Sequence, residues 1–232
     1  MFDGNVAPSG EIRLRVLKHA SAVLPARELS FREIARYGLP HFGVSLEVAL
    51  WRLRNLPNLL RGLWRVIIAR FFGLSNFYGA VGLVKSGPDG RIVNYGLASL
   101  RVVTTAGVNF IRDAFIGSVE PENMKFHGFG TGTNAEASSD TALQTELTTQ
   151  YATDNTRPTG SQVSGGAGAY QTVATLSPDS GGTLAITEHG ILSQAATGGG
   201  TLLDRSVFSA VNLVAGSDSL QATYTLTSSA GG

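Results

Sequence analysis

The sequence predicts an α+β chain that is mainly β: a basic α-helical N-terminal arm followed by an antiparallel β-sandwich. Charge points there first. Residues 1–85 hold 12 Lys and Arg against 5 Asp and Glu, whereas residues 86–232 hold 6 against 12. Such asymmetry marks two segments with different surroundings. Apolar patterning points the same way. Helix-period spacing and both tryptophans, Trp51 and Trp64, fall in the first segment. The second is rich in Gly, Ser and Thr, with short alternating apolar runs. The expected boundary lies between residues 73 and 86. It separates an arm, residues 1–73, from a β domain, residues 74–232.

Within the arm, Glu11–Leu24 reads as a helix stopped by Pro25. Ser30 opens a second helix, and Glu33 three residues later completes a capping box. Gly38 and Pro40 end it. Ser45 caps a third helix running to about Phe72. Its apolar residues include Leu46, Leu50, Leu53, Leu60, Leu63, Trp64, Ile67 and Phe71. Pro57 is expected to kink or break it, because proline lacks the amide donor and clashes with the preceding turn. Arg54, Arg61 and Arg65 are spaced to share a face. A basic amphipathic helix has three readings: a packed hairpin with a solvated arginine face, an anchor on a protein partner, or contact with a membrane surface or nucleic acid. The anchor reading assigns partner binding to Arg52, Arg54, Arg61, Trp64, Arg65 and Arg70. No nucleic acid is expected, because no aromatic-interleaved basic sheet accompanies the arginines.

The β domain opens with a hairpin, Phe77–Val84 and Arg91–Leu97, around Gly87-Pro88-Asp89-Gly90. Thr104 or Thr105 caps a short helix to about Ile116. Met124–Gly130 is the next strand. A one- to two-turn helix is expected from Ser138, Ser139 or Asp140 through Leu147. Thr149–Gly168 reads as an exposed loop. Tyr170–Leu176, Thr183–Glu188, Thr201–Leu213 and Ser219–Thr227 are further strands. In the last, Leu220, Ala222, Tyr224 and Leu226 alternate with Gln221, Thr223, Thr225 and Thr227, a half-buried antiparallel pattern. Short strands between Gly-rich turns argue for a sandwich.

Chemistry is weakly signalled. Zero cysteines exclude a disulfide scaffold, a thiol nucleophile and a Cys-ligated zinc. Gly128, Gly130 and Gly132 lack the spacing and the following lysine of a phosphate loop. Glu188-His189 has no second histidine at a zinc-protease spacing. His19, His41, His127 and His189 lie far apart in the chain; His127 and His189 both border strands and could meet in the fold. Asp204-Arg205 reads as a local surface contact. No G-x-S-x-G elbow occurs. No metal or other cofactor is expected, and no enzymatic activity. A spanning helix is rejected, because five arginines interrupt the apolar stretch from Val44 to Val84 and each is costly at a bilayer centre. The first ten residues show no basic-then-apolar secretory pattern.

The order of motifs carries a resemblance. Val102-Val-Thr-Thr-Ala-Gly-Val-Asn109 leads into a short helix. Phe126-His-Gly-Phe-Gly-Thr-Gly-Thr133 and Ser139-Asp-Thr-Ala-Leu-Gln-Thr-Glu146 follow. Then come Ile186-Thr-Glu-His-Gly-Ile-Leu192, Leu202-Leu-Asp-Arg-Ser-Val-Phe208 and Gly216-Ser-Asp-Ser-Leu-Gln-Ala-Thr-Tyr-Thr-Leu226. Over residues 77–227 the chain resembles small β-rich structural proteins of tailed bacteriophages. The resemblance implies a virion component without catalysis, made in the host cytoplasm. It implies that Glu146, Glu188 and Arg205 form a buried polar network that maintains the fold. The expected role is a capsid decoration or cement protein on the capsid surface, a homo-trimer or other homo-oligomer bound to the major capsid protein. The alternative is a tail- or fibre-associated adaptor or receptor-binding protein.

Overall fold

The structure, a computed structural model, describes residues 24–25, 27–72, 76–152, 154–164 and 168–229. The helix expected over Glu11–Leu24 lies outside them except at its last residue, and His19 lies outside them altogether. Helix α1 spans Phe31–Gly38. Its capping box forms as expected: the Ser30 hydroxyl accepts from the Glu33 amide, and the Glu33 carboxylate accepts from the Ser30 amide. Helix α2 spans Leu46–Phe71, with Ser45 accepting from the Val48 amide at its start. Pro57 does not break it. Residues buried on both sides of the proline, Trp51 and Leu59 among them, hold the two halves against the body. Tertiary packing outweighs the lost backbone donor.

A hairpin of β1 (Asn76–Ser86) and β2 (Ile92–Val102) follows the helices. Helix α3 spans Thr105–Phe115. Thr104 rather than Thr105 caps it: the Thr104 hydroxyl accepts from the Gly107 amide and donates to the Leu202 carbonyl. The remaining strands are β3 (Phe126–Gly130), β4 (Ser161–Ser164), β5 (Ala169–Leu176), β6 (Thr183–Leu192), β7 (Leu202–Val214) and β8 (Ser219–Ser229). They form two antiparallel sheets, one ordered β2-β1-β8-β5-β4 and the other β3-β6-β7. The described chain is thus mainly β with three α-helices.

Two apolar cores organise these elements. In one, Val81, Leu83, Ala222 and Tyr224 of the larger sheet meet Phe129, Ile186, Ile191, Phe208 and Val211 of the smaller. The other lies under the helices, where Ile34, Leu59 and Val66 pack on Tyr78, Ala80, Leu97 and Leu100. Residue 73 therefore marks a change of sequence pattern across which packing is continuous. Helix α2 lies so close to β2 that a methyl group at Gly62 would overlap the Leu100 carbonyl oxygen. Asn55 ties the sheets together, donating to Ala98 of β2 at 2.7 Å and accepting from the Ser209 amide of β7 at 2.9 Å.

Two expectations about the β domain are corrected. Residues 138–147 form no helix. Their amides are drawn elsewhere: those of Gln144 and Thr145 to the Glu188 carboxylate, and that of Leu147 to the Phe129 carbonyl. Long-range acceptors outcompete local i→i−4 pairing there. In β8, the threonine face does not meet solvent. Thr223, Thr225 and Thr227 are buried. Strand β8 is central in its sheet, and Gln171 of the neighbouring β5 bonds both Thr225 and the Leu24 carbonyl, placing the arm's chain over that face. The expected loop at 149–168 also contains β4.

Candidate interaction surface

Helix α2 buries one face and exposes the other. Val48, Trp51, Arg52, Asn55, Leu59, Gly62 and Val66 are buried. The polar members of that face are matched to backbone. Trp51 Nε1 donates to the Ser209 and Ala210 carbonyls at 3.0 and 3.2 Å. Arg52 donates to the carbonyls of Tyr95, Arg36 and Leu39 at 2.9, 3.2 and 3.1 Å. Gly96, at φ +78°, leaves room for this guanidinium, because a side chain there would strike it. Arg52 is thus no part of a partner-binding face: it is 4 % exposed and locks α1, the following loop and β2 together. Its i±3 and i±4 neighbours Val48 and Asn55 were the available sequence signal, since they set it on the buried row.

Opposite lies an apolar row. Leu46, Leu50, Leu53, Pro57, Leu60, Trp64 and Phe71 are exposed, and Ile67 is half-buried. Leu46 is 75 % exposed, Trp64 63 % and Phe71 81 %. Successive members stand three or four residues apart, the spacing of a coiled-coil seam. The other arginines surround this row in different states. Arg54 and Arg65 are exposed, with no ion pair among the described residues. Arg61 reaches Glu136 at 3.1 Å. Arg70 pairs with Glu28, donates to the Leu29 carbonyl at 2.9 Å and to the Tyr78 hydroxyl at 3.0 Å, and lies over the Phe31 ring. Arg70 therefore fastens the helix end to the body.

The interior holds the polar groups expected to maintain the fold, in two separate sets. Glu188 is fully buried and pairs with Arg205 at 2.8 Å. It also accepts from the amides of Gly132, Gln144 and Thr145 at 3.1, 3.0 and 2.7 Å. Arg205 reaches Asp140 at 3.1 Å. Glu146 does not join this set. It pairs with Arg157 through both carboxylate oxygens, at 2.5 and 2.8 Å, and Arg157 also donates to the Gln194 and Gly199 carbonyls. Arg157 carried no sequence signal beyond its charge, because its partners come from two separate segments, the loop holding Glu146 and the connection between β6 and β7.

Asp204 and Arg205 are both buried, which corrects their assignment to a surface contact. Burial raises the Asp204 carboxyl to about 7, against the opposing pull of the Arg101 guanidinium and hydrogen bonds from Ser206 and Tyr224. Arg101 pairs with Glu136, and burial lowers it to about 9. His127 and His189 do meet, sharing a hydrogen bond of 2.9 Å between Nδ1 and Nε2, and His127 Nε2 lies 3.0 Å from the Thr172 hydroxyl. Burial lowers His189 to about 3 and holds His127 well below its usual value, aided there by the neighbouring His189. Among the described residues, no three His, Asp or Glu side chains converge as a metal site. No described helix is long and apolar enough to cross a membrane.

Comparison with protein-family models, with curated proteins and with solved structures finds no match for this chain.

Proposed function

We propose that this protein is a non-enzymatic structural component of a virion, attached to a protein shell by the outward face of α2. The two facing sheets are read as a β-sandwich that forms the rigid body. The favoured place is the capsid surface, as a decoration or cement protein bound to the major capsid protein in many copies. Homo-oligomeric assembly on the shell would multiply weak contacts into firm attachment.

The observation that carries this reading is the exposed apolar row from Leu46 to Phe71. Trp64 and Phe71 alone expose on the order of 300 Å², already comparable with the largest apolar patch of an ordinary monomer. The leucines extend it along the helix. Contiguous apolar surface of that extent marks an interaction face. The resemblance of residues 77–227 to β-rich structural proteins of tailed bacteriophages supports the virion setting. The interior supports a structural role, because Glu188, Arg205, Glu146 and Arg157 are engaged chiefly with one another and with backbone groups.

Cryo-electron microscopy of assembled particles tests the reading. Many copies on the head shell, with the outward face of α2 against capsid protein, are expected. A few copies at the tail, contacting through the β loops, would replace it with the adaptor or receptor-binding reading. Particles lacking the chain would overturn the virion assignment.

A further inference from the structure

We infer that the occupant of the α2 row is an amphipathic helix of a partner protein whose apolar stripe is flanked by acidic side chains. This rests on the attachment reading and narrows it to a partner chemistry. Spacing supplies the first argument. Leu46, Leu50, Leu53, Pro57, Leu60, Trp64, Ile67 and Phe71 follow the a/d positions of a heptad without interruption. The buried Asn55 and Gly62 then fall on the f position, directly opposite, so the row points away from the body. Apart from Ile68 and the terminal Phe72, the exposed apolar side chains of the helix keep to this a/d row, which is narrow and fits one helix, whereas a helix lying on lipid carries a broader apolar face.

Charge supplies the second argument. Helix α2 contains five arginines against one glutamate, and that glutamate, Glu47, pairs with Arg91. Arg54 and Arg61 flank the row at consecutive e positions, where charges select the partner. A second copy of α2 would bring its own arginines alongside, with Glu47, already paired with Arg91, as the single carboxylate on that flank to receive them. Acidic flanks on a different helix would meet the exposed Arg54 directly, compete with Glu136 for Arg61 and fix its register.

The full-length protein is titrated with two synthetic four-heptad helices, both with leucine at a and d. One carries glutamate at e and g, the other lysine. Trp64 fluorescence reports occupancy of the row, and Trp64→Phe assigns the signal, since Trp51 is buried and hydrogen-bonded. The glutamate helix is expected to shift Trp64 emission to shorter wavelength and to bind about tenfold tighter or more than the lysine helix. That preference is expected to shrink with added salt and to invert in Arg54→Glu/Arg61→Glu. Equal affinity for both helices, or binding of neither, would overturn the acidic-helix assignment. A Trp64 shift only with phosphatidylcholine–phosphatidylglycerol vesicles would reassign the row to membrane. Self-association abolished by Leu60→Ser would reassign it to a second copy. Particle attachment separates the two levels. If Leu53→Ser/Leu60→Ser releases the protein from particles while neither helix binds, only the partner chemistry falls. If that variant stays attached, the attachment face itself is wrong.

Discussion

The interior of the β body and the outward face of α2 invert the usual distribution of chemistry. The interior holds Glu188, Arg205, Arg157, Asp204, His127 and His189, all buried. The helix surface holds leucines, Trp64 and Phe71, all exposed except the half-buried Ile67. A cluster of buried charges invites a catalytic reading, but these charges are answered largely from within. Glu188 alone receives three backbone amides and an arginine. The outer row has no answering surface within the described chain. Partnering, rather than the presence of reactive side chains, separates groups that hold the fold from groups available for recognition.

The largest expected effect lies inside. Arg205→Ala leaves the fully buried Glu188 without its cation and is expected to destabilise the protein by about 3–5 kcal/mol in urea unfolding. A loss within about 0.5 kcal/mol would place the pair among ordinary surface contacts. The pH dependence comes next. His127 and His189 stay neutral in the fold, so below about pH 6.5 the unfolded chain binds protons that the fold refuses. Their contribution is present above about pH 6.5 and is lost as pH falls, for His189 through about 3. Asp204 acts in the opposite sense: its contribution is complete below about pH 3.9 and is lost as pH rises through 7. Between about pH 4 and 6.5 two histidines oppose one carboxyl, so stability rises by about 1.4 kcal/mol per pH unit. Asp204→Asn is expected to roughly double that slope. A flat profile would show that these groups titrate alike in both states.

Asn55→Ala comes third. It strips partners from the Ala98 carbonyl and the Ser209 amide and is expected to cost roughly 2–3 kcal/mol, read as a lowered urea midpoint. No change in midpoint would mean that the sheets are held together without this bridge.

What the sequence disclosed was local. The Ser30–Glu33 capping box, the extent of α2 and the hairpin around Gly87–Gly90 are set by neighbours in the chain, and all three form. The apolar alternation of β8 placed Tyr224 and Ala222 correctly in the core. The same alternation suggested solvent for Thr223, Thr225 and Thr227, because nothing in a strand's own sequence says whether another layer covers it. Residues 138–147 have a plausible helix cap but fold as irregular chain, since the buried Glu188 carboxylate claims their amides from more than forty residues away. Arg52 and Arg54 are two residues apart and of one type, yet one is buried and the other exposed. Their different positions around the helix were legible; the body that buries one of them was not. Glu188 and Arg205 pair as expected, while Glu146 finds Arg157, a choice made by tertiary geometry alone.

The smallest expected change in stability accompanies the largest expected change in function. In Leu53→Ser/Leu60→Ser, both substitutions lie on the exposed row, so unfolding midpoints should shift little, by about 0.5 kcal/mol per site or less. The decisive measurement is the occupancy of this variant on assembled particles beside the unaltered protein. An outward face that serves recognition predicts a folded protein with occupancy reduced about tenfold or more. Full occupancy of a folded variant would contradict it and move the attachment site off α2.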